Sequence, residues 1–319
     1  MTKPRVICTR KWPESVEAEL RARFDVTLNE ADEAMSADEL RLALDEYDAV
    51  CPTVTDKVDA AVLANPKRVK MLGQFGVGFN NIDTEAAKAA GLVVTNTPAV
   101  LTDATADMAL TLLLNVARRT YEGETMLRAG EWTGWRPTQL MGTSPQGKVL
   151  GIIGMGRIGK AMAKRCHHAL DMEIVFYDAF PVEDPGVPAR QLDSIEAVLE
   201  AADFVSIHTT GGGDNIHLIN AARLERMKPT AILINTARGD IVDEAALTEA
   251  LKTGGIAGAG LDVFEREPAI TAALRTMKNV CVLPHLGSAT RETRVAMGMT
   301  VVENLTAFFD GREPPNRVV

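Results

Sequence analysis

The most informative stretch of the chain, residues 149–159, reads Val149-Leu150-Gly151-Ile152-Ile153-Gly154-Met155-Gly156-Arg157-Ile158-Gly159. An apolar run leads into the pattern G-x-G-x-x-G, and a segment typical of a helix follows from Lys160 to Leu170. A second apolar run, Ile174 to Tyr177, is followed by Asp178. Because strand, glycines, helix, strand and acid come in this order, the stretch predicts a unit that binds a dinucleotide, with the pyrophosphate at the start of the helix.

Asp178 predicts which dinucleotide is bound. It lies 24 residues after Gly154, close to the offset of about 20 residues expected for the acid that binds the ribose. A carboxylate there accepts hydrogen bonds from the ribose hydroxyls of NAD and repels the 2′-phosphate of NADP. No arginine stands among residues 179–181 to hold that phosphate, although Arg190 could fold back toward it. The sequence therefore predicts NAD as the cofactor and leaves NADP open.

The composition excludes several classes of protein. The chain has 319 residues, 46% apolar and 24% charged, so it can build two domains with cores of their own. The net charge of −9 argues against a nucleic-acid partner, and it requires local positive groups to hold any anionic substrate. The four cysteines form no C-x-x-C pair, which is typical of reduced thiols in a cytoplasmic protein. With no signal-peptide core and no apolar run of membrane-spanning length, we expect no membrane partner.

Short apolar runs alternate with helical patterns along the chain, which predicts an α/β fold with two doubly wound parallel sheets. Helices are expected at residues 59–64, among others, and the segment 121–147 is expected to be irregular. The last helical segment, residues 291–310, has no strand after it and is expected to pack on the first domain. We therefore predict a Rossmann cofactor domain of residues 100–286, inserted in a discontinuous, flavodoxin-like substrate domain of residues 1–99 and 287–319.

Three polar segments follow apolar strands of the second domain. They are Thr236–Asp240, Leu261–Pro268 and Pro284–Ser288. In an open parallel sheet, ligands bind at the carboxyl ends of the strands. We therefore expect the three segments to converge on one site.

The chain resembles the D-isomer-specific 2-hydroxyacid dehydrogenases, particularly the branch of glyoxylate and hydroxypyruvate reductases. The similarity covers almost the entire length, from the loop Gly76–Asp83 to Ser288, and includes Asn96-Thr97-Pro98 and Leu101–Asp107. The three polar segments have the separations of that family. The resemblance implies a homodimer that reduces small 2-keto acids, glyoxylate or hydroxypyruvate first, to D-2-hydroxy acids with NAD(P)H.

Three residue types suit this reaction, in which a hydride reaches the carbonyl carbon and a proton reaches its oxygen. His285 is the candidate proton donor, because imidazole titrates near neutral pH. Glu267, bonded to the other ring nitrogen, would fix the tautomer and stabilise the imidazolium. Arg238 would bind the substrate carboxylate and polarise the carbonyl. No histidine pair has metal-ligand spacing backed by carboxylates or thiolates, so no metal is expected.

The other site residues are implied by the resemblance. The backbone amides of Val77 and Gly78 would hold the substrate carboxylate, although Phe79 replaces the tyrosine often found there. Trp135 either reaches across a dimer toward the substrate of the neighbouring subunit or has a simple packing role. The triplet Gly211–Gly213 departs from the usual proline-containing loop and is expected to be a flexible connection. The residues expected at the cofactor are Thr105, Gly154, Met155, Gly156, Arg157, Ile158, Gly159, Asp178, Thr209, Thr236, Ala237, Arg238, Asp262, His285 and Gly287.

Two alternatives stay open at this level. The chain could be another D-2-hydroxyacid dehydrogenase, such as a phosphoglycerate dehydrogenase, whereas the pairing of Glu267 with His285 disfavours formate oxidation. It also resembles dehydrogenase-derived corepressors that sense NAD, which keep the same three catalytic residues. We expect no long interaction tail, which favours an enzyme, and turnover of NADH with a keto acid would distinguish an enzyme from a sensor.

Overall fold

The structure is a computed structural model and describes residues 3–319. The chain divides into two compact units. The first comprises the chain up to Leu101 together with Ala289–Val319, and the second comprises Thr102–Ser288. The sequence predicts domain boundaries after residues 99 and 286, and the observed boundaries lie two residues later, after Leu101 and Ser288. The role of each unit stays a prediction.

The first unit is built on a parallel sheet. Its strands are β1 (Arg5–Cys8), β2 (Asp25–Leu28), β3 (Ala49–Cys51), β4 (Met71–Gly73) and β5 (Val93–Thr95). They lie in the order β2-β1-β3-β4-β5, which is the order of flavodoxin-like sheets. The helices are α1 (Glu14–Arg23), α2 (Ala37–Glu46), α3 (Thr84–Ala89) and, where the chain returns from the second unit, α10 (Arg291–Phe309).

The second unit carries its own parallel sheet. Its strands are β6 (Val149–Ile153), β7 (Glu173–Tyr177), β8 (Ala189–Gln191), β9 (Phe204–Ile207), β10 (Ile232–Asn235), β11 (Gly258–Leu261) and β12 (Val280–Val282). Its helices are α4 (Thr102–Ala117), α5 (Thr120–Arg128), α6 (Arg157–Leu170), α7 (Ile195–Ala201), α8 (Ala221–Leu224) and α9 (Glu244–Thr253). The strand order β12-β11-β10-β9-β6-β7-β8 reverses between β6 and β9, where Rossmann sheets bind dinucleotides. The predicted fold class, two parallel-sheet α/β domains, is confirmed.

Burial explains why the second sheet is so apolar. Strands β9, β10 and β11 are buried along their whole length, as expected for a parallel sheet with helices on both faces. Helix α4 packs on this sheet through Leu112 and Leu113, which are fully buried. No helix within residues 3–319 is long and apolar enough to cross a membrane.

Two segments differ from the sequence-based expectation. Residues 59–64, expected as a helix, form a single turn in which the N–H of Leu63 donates to the carbonyl of Asp59. The turn stops there because Asn65 has a φ of +54° and Pro66 follows, and neither continues a helix. The segment 121–147, expected to be irregular, includes most of α5, a helix that has no buried residue.

Candidate active site

Gly154 forms the tight turn between β6 and α6. Its φ is +93°, a conformation that residues with a side chain rarely adopt. A Cβ at this position would also lie 2.8 Å from the backbone of His208, which follows β9. Conformation and space therefore both require glycine, and they allow the glycine loop to lie against the end of the neighbouring strand.

The outer side of the glycine loop is open. A Cβ built on Gly156 would meet none of the described atoms within 4 Å, and α6 begins at Arg157 without a side-chain hydrogen bond to its first turn. The N–H groups of that turn, including those of Ile158 and Gly159, have no partner within the helix and lie at the positive end of its dipole. This arrangement fits the pyrophosphate of a dinucleotide.

Asp178 follows β7 and lies beside the glycine loop. Its Oδ2 accepts a hydrogen bond from the N–H of Met155 at 2.8 Å, and its Oδ1 accepts one from the N–H of Phe180 at 3.1 Å. A carboxylate has about four lone-pair positions, so it can still accept hydrogen bonds from two ribose hydroxyls. Arg190, the candidate partner of a 2′-phosphate, instead lies 3.5 Å from Glu173, at the opposite end of β7 from Asp178.

Arg238 follows β10 in a turn that Asn235 holds. The buried side chain of Asn235 donates to the carbonyl of Arg238 at 2.8 Å and accepts from the N–H of Ala237 at 3.0 Å. Sequence reasoning missed Asn235, although an amide that ends an apolar strand is a usable signal. Burial lowers the pKa of Arg238, and the charges of Glu267 and Asp240 oppose that change. The guanidinium stays cationic, because the pKa of arginine lies far above neutral pH.

His285 and Glu267 are hydrogen-bonded. Nδ1 of His285 lies 2.8 Å from Oε2 of Glu267, whose Oε1 accepts from the N–H of Phe264 at 3.0 Å. Burial by itself raises the pKa of Glu267, but the hydrogen bond and charge of His285, the N–H of Phe264 and the charge of Arg238 together hold it below its usual value. Glu267 is thus a carboxylate at neutral pH and keeps a proton on Nδ1 of His285. Nε2 makes no hydrogen bond to residues 3–319 and is left to exchange a proton with a ligand.

Asp262 holds the loop that carries His285. Its buried carboxylate accepts from the N–H of Leu286 at 2.6 Å and from that of Gly287 at 2.7 Å, and its carbonyl accepts from the N–H of His285 at 2.9 Å. Burial raises the pKa of Asp262, and these two carboxylate hydrogen bonds and the charge of His285 oppose the rise. The φ of His285 is +54°, uncommon for a residue with a side chain, and the three hydrogen bonds keep this conformation in place.

Gly239 joins the Arg238 turn to the Glu267 segment. A Cβ at Gly239 would lie 1.8 Å from the carbonyl carbon of Phe264, so only glycine allows the two backbones to touch. The three catalytic candidates therefore stand after neighbouring strands, β10, β11 and β12, of one sheet. Within residues 3–319 there is no group of three or more His, Cys, Asp or Glu side chains that could hold a metal ion.

The other predicted cofactor residues lie around these loops. Thr105, on α4, lies beside Gly287: a Cβ built on Gly287 would be 3.5 Å from Cγ2 of Thr105. Thr209 lies beside the glycine loop: a Cβ built on Gly154 would be 2.8 Å from the backbone N of Thr209. Thr236 buries its hydroxyl oxygen, which makes no hydrogen bond to any of residues 3–319. A buried hydroxyl without a protein partner, at the carboxyl end of β10, fits a site that receives a polar ligand.

The predicted substrate loop belongs to the first unit. The carbonyl of Val77 accepts from Nδ2 of Asn96 at 2.7 Å, and the carbonyl of Gly78 accepts from Nε2 of Gln74 at 3.1 Å. Both side-chain amides therefore fix the loop through its carbonyls. Sequence reasoning did not assign this role to Gln74, whose complete burial after β4 is the signal that the structure adds.

Trp135 is 80% exposed in its own chain. Trp132, in the same segment, is 51% exposed. The two interpretations that the sequence offers for Trp135 both stay predictions.

A parallel sheet of Rossmann order, with a glycine loop open to an anion, defines a dinucleotide-binding protein. The family model for the D-isomer specific 2-hydroxyacid dehydrogenase, NAD binding domain, matches residues 110–287. The chain belongs to the D-isomer specific 2-hydroxyacid dehydrogenase family. The predicted family, the enzyme class and the NAD(P) cofactor are confirmed.

Similar proteins cover the whole chain. A glyoxylate reductase of Thermococcus litoralis is 45% identical over 99% of this chain and 97% of its own. An NADPH-dependent glyoxylate/hydroxypyruvate reductase from Sinorhizobium meliloti, crystallised with NADP and malonate, has a TM-score of 0.90 at 35% identity, covering 100% of this chain and 97% of its own. A D-mandelate dehydrogenase of Rhodotorula graminis has a TM-score of 0.87 at 27% identity, covering 100% and 98%. Since proteins named for different substrates share this fold, local side chains must select the substrate.

Proposed function

We propose that this protein is a glyoxylate/hydroxypyruvate reductase, which reduces small 2-keto acids to D-2-hydroxy acids with NADH. The observation that carries the proposal is the 2.8 Å contact between Nδ1 of His285 and Oε2 of Glu267, at the carboxyl edge of a Rossmann-order sheet. The 45% identity with the Thermococcus litoralis glyoxylate reductase supports glyoxylate as a substrate.

When bound, the reduced nicotinamide supplies the hydride that reaches the keto carbon. His285 donates a proton from Nε2 to the carbonyl oxygen, so that the C=O bond gains one hydrogen at each end. Glu267 stabilises the imidazolium before the proton leaves and keeps the ring oriented through Nδ1. A positioned general acid of this kind contributes about 10²- to 10⁴-fold to the rate.

Arg238 supplies the positive charge that an anionic substrate needs in a protein with a net charge of −9. Its guanidinium binds the substrate carboxylate and stabilises the negative charge that develops on the carbonyl oxygen. Because Arg238 is largely withdrawn from water, this interaction is stronger than it would be in solvent. We assign the backbone amides of Val77 and Gly78 to the substrate carboxylate as well.

NADH is the proposed reductant. The N–H groups at the start of α6 would hold the pyrophosphate, and Asp178 would accept hydrogen bonds from the ribose hydroxyls. The engagement of Arg190 with Glu173 supports this choice, since it leaves Arg190 turned away from the ribose end of β7. Around the nicotinamide we place Thr105, Thr236, Asp262 and Gly287.

The proposed working form is a homodimer in the cytoplasm, in which a second copy covers the apolar surface of residues 120–141. Leu127, Trp132, Trp135 and Met141 are each more than half exposed within this segment. A concentration of exposed apolar side chains, two of them tryptophan, is typical of an interface. The four free and buried cysteines support a reducing compartment. Light scattering after gel filtration tests the dimer, which a monomeric mass at micromolar concentration would contradict.

Oxidation of NADH or NADPH, measured with a panel of keto acids, tests the function. Glyoxylate, hydroxypyruvate, pyruvate, phenylpyruvate and 3-phosphohydroxypyruvate form the panel, and we expect the highest kcat/KM with glyoxylate or hydroxypyruvate and NADH. The highest value with 3-phosphohydroxypyruvate would instead identify a phosphoglycerate dehydrogenase. Binding of NADH without turnover of any keto acid would identify a nucleotide sensor.

A further inference from the structure

The loop Gly211–His217, which follows β9, lies against the turn that carries Arg238. We propose that Gly211 and Asp240 are positioning residues, which together fix the Arg238 side chain in the orientation that binds the substrate carboxylate. This inference rests on the proposed function, in which Arg238 binds that carboxylate. Neither residue touches the reacting atoms in this proposal, and both act through the arginine.

Gly211 is in direct contact with the side chain of Arg238. A Cβ at residue 211 would lie 2.7 Å from Cβ and 2.8 Å from Cγ of Arg238. These two carbons are the root of the arginine side chain, so they cannot move away without redirecting the guanidinium. Any residue larger than glycine at position 211 must therefore displace either the arginine or the loop.

Asp240 bonds the loop to the turn. Its Oδ2 accepts from the N–H of Gly212 at 2.9 Å, and its carbonyl accepts from the N–H of His217 at 2.7 Å. A Cβ built at residue 211 would lie 2.5 Å from Oδ1 of Asp240. The carboxylate of Asp240 and the first side-chain carbons of Arg238 therefore both leave room only for glycine at this position.

The loop is fixed at its far end as well. Nε2 of His217 lies 3.2 Å from Oε1 of Glu265, two residues before Glu267. Gly212 and Gly213 have φ values of +78° and +54°, and Gly213 begins a short 3-10 turn that ends at Asn215. The triplet Gly211–Gly213 therefore makes a defined turn onto Arg238, where the sequence alone suggests a flexible connection.

The charge of Asp240 gives the contact a second component. Oδ1 of Asp240 is buried and makes no hydrogen bond to residues 3–319, which is costly for a carboxylate unless a cation compensates. The charges of Glu267 and Asp240 both act on the guanidinium of Arg238, which also donates from Nη1 to the carbonyl of Ala237 at 2.7 Å. Asp240 therefore adds negative charge near Arg238 as well as holding the loop that contacts it.

Substitutions at both positions test the inference, with glyoxylate as substrate and oxalate as a competitive probe of the carboxylate site. We expect Gly211→Ala and Asp240→Ala to raise both KM for glyoxylate and Ki for oxalate by about tenfold or more, because small displacements of a binding group have large effects. The Kd of NADH and the melting temperature should change little. Asp240→Asn retains an oxygen for the N–H of Gly212 and should recover much of the loss.

Gly213→Asn is the matched control within the triplet. Asparagine tolerates a positive φ, and a Cβ at Gly213 would meet none of the described atoms within 4 Å. We expect this variant to keep the wild-type KM and Ki. Equal losses in Gly211→Ala and Gly213→Asn, unchanged KM in Gly211→Ala and Asp240→Ala, or no recovery in Asp240→Asn would each overturn the inference.

A double-mutant cycle with Arg238→Gln separates this inference from the proposed function. If Gly211 and Asp240 act through Arg238, their substitution in the Arg238→Gln background should change Ki for oxalate no further. A large effect of Arg238→Gln with fully additive losses would overturn the positioning role and leave the proposed function intact. An Arg238→Gln variant with unchanged Ki would contradict the role of Arg238 itself, and both proposals with it.

Discussion

Nδ1 of His285 lies 2.8 Å from Oε2 of Glu267, although the two residues follow different strands, β12 and β11. The segment after β11 also supplies Asp262, whose carboxylate holds the backbone on the C-terminal side of His285. One segment therefore orients both the ring and the backbone of the proposed proton donor. This double support explains how a histidine with a φ of +54° is held in a single orientation.

His285→Gln is expected to lower kcat for glyoxylate reduction by about 10²- to 10⁴-fold, because the amide cannot deliver the proton. The Kd of NADH should stay near the wild-type value, since the glycine loop and Asp178 are unchanged. Steady-state kinetics and NADH fluorescence titration measure the two effects. His168→Gln, which changes an exposed histidine of α6, is the control and should keep full activity. Undiminished turnover in His285→Gln would rule out the proposed acid.

Glu267→Gln is expected to lower kcat for glyoxylate reduction, because Nδ1 of His285 loses its carboxylate partner and the ring loses the contact that orients it. The Kd of NADH should change little, since the glycine loop and Asp178 are unchanged. Steady-state kinetics and NADH fluorescence titration measure the two effects. Glu183→Gln, which changes an exposed glutamate, is the control and should keep full activity. Undiminished kcat in Glu267→Gln would show that the carboxylate does not support the proposed proton donor.

His208 is expected to give the stability of the protein a pH dependence. Burial lowers its pKa to about 4, from an ordinary value of 6.5. Between these values the unfolded chain binds a proton that the folded protein does not. The free energy of unfolding should therefore be highest above pH 6.5 and fall by roughly 3 kcal/mol as the pH approaches 4.

Urea denaturation of His208→Asn at several pH values checks this expectation. The substitution should reduce the pH dependence, whatever it does to the absolute stability, because no imidazole remains to be protonated at that position. His168→Asn should keep the wild-type slope, since that side chain is exposed. The same slope in wild type and His208→Asn would mean that the acid sensitivity comes from other groups.

Asp178→Asn is expected to raise the ratio of kcat/KM with NADPH to that with NADH by about tenfold or more, an effect of roughly 1.4 kcal/mol. The amide oxygen can still accept a hydrogen bond from the N–H of Met155, so the glycine loop keeps this contact. The negative charge that repels a 2′-phosphate is lost. Glu183→Gln removes a nearby exposed charge and should leave the ratio unchanged. A wild-type preference for NADPH would contradict the role given to Asp178.

Trp135→Ala is expected to change the ratio of kcat/KM between hydroxypyruvate and glyoxylate. Because 80% of the side chain is exposed in its own chain, its removal should leave the melting temperature nearly unchanged. Leu42→Ala, at an exposed apolar residue of α2, is the control for a general effect of removing surface area. An equal loss of kcat/KM for every substrate would contradict a role of Trp135 in substrate selection.

Much of the candidate site follows from local sequence patterns. The run from Val149 to Gly159 predicts strand, glycine loop and helix, and the structure has β6 and α6 there. Residues 59–64 show the limit of such patterns, because Asn65 and Pro66 end the expected helix after one turn. Helix α5 shows a second limit, since it buries no residue and so lacks the core contacts from which a helix is usually inferred.

Alternating apolar runs and glycine positions by themselves determined the two parallel sheets, the dinucleotide loop, and the placement of Arg238, Glu267 and His285 after strands. They could do so because strand and helix periodicity are properties of neighbouring residues. The tertiary structure was needed to show that Asp262 holds the loop of His285 and that Gly211 lies against Arg238. These pairs belong to loops that follow different strands, so their contacts depend on how neighbouring strands and loops pack, which no local pattern encodes.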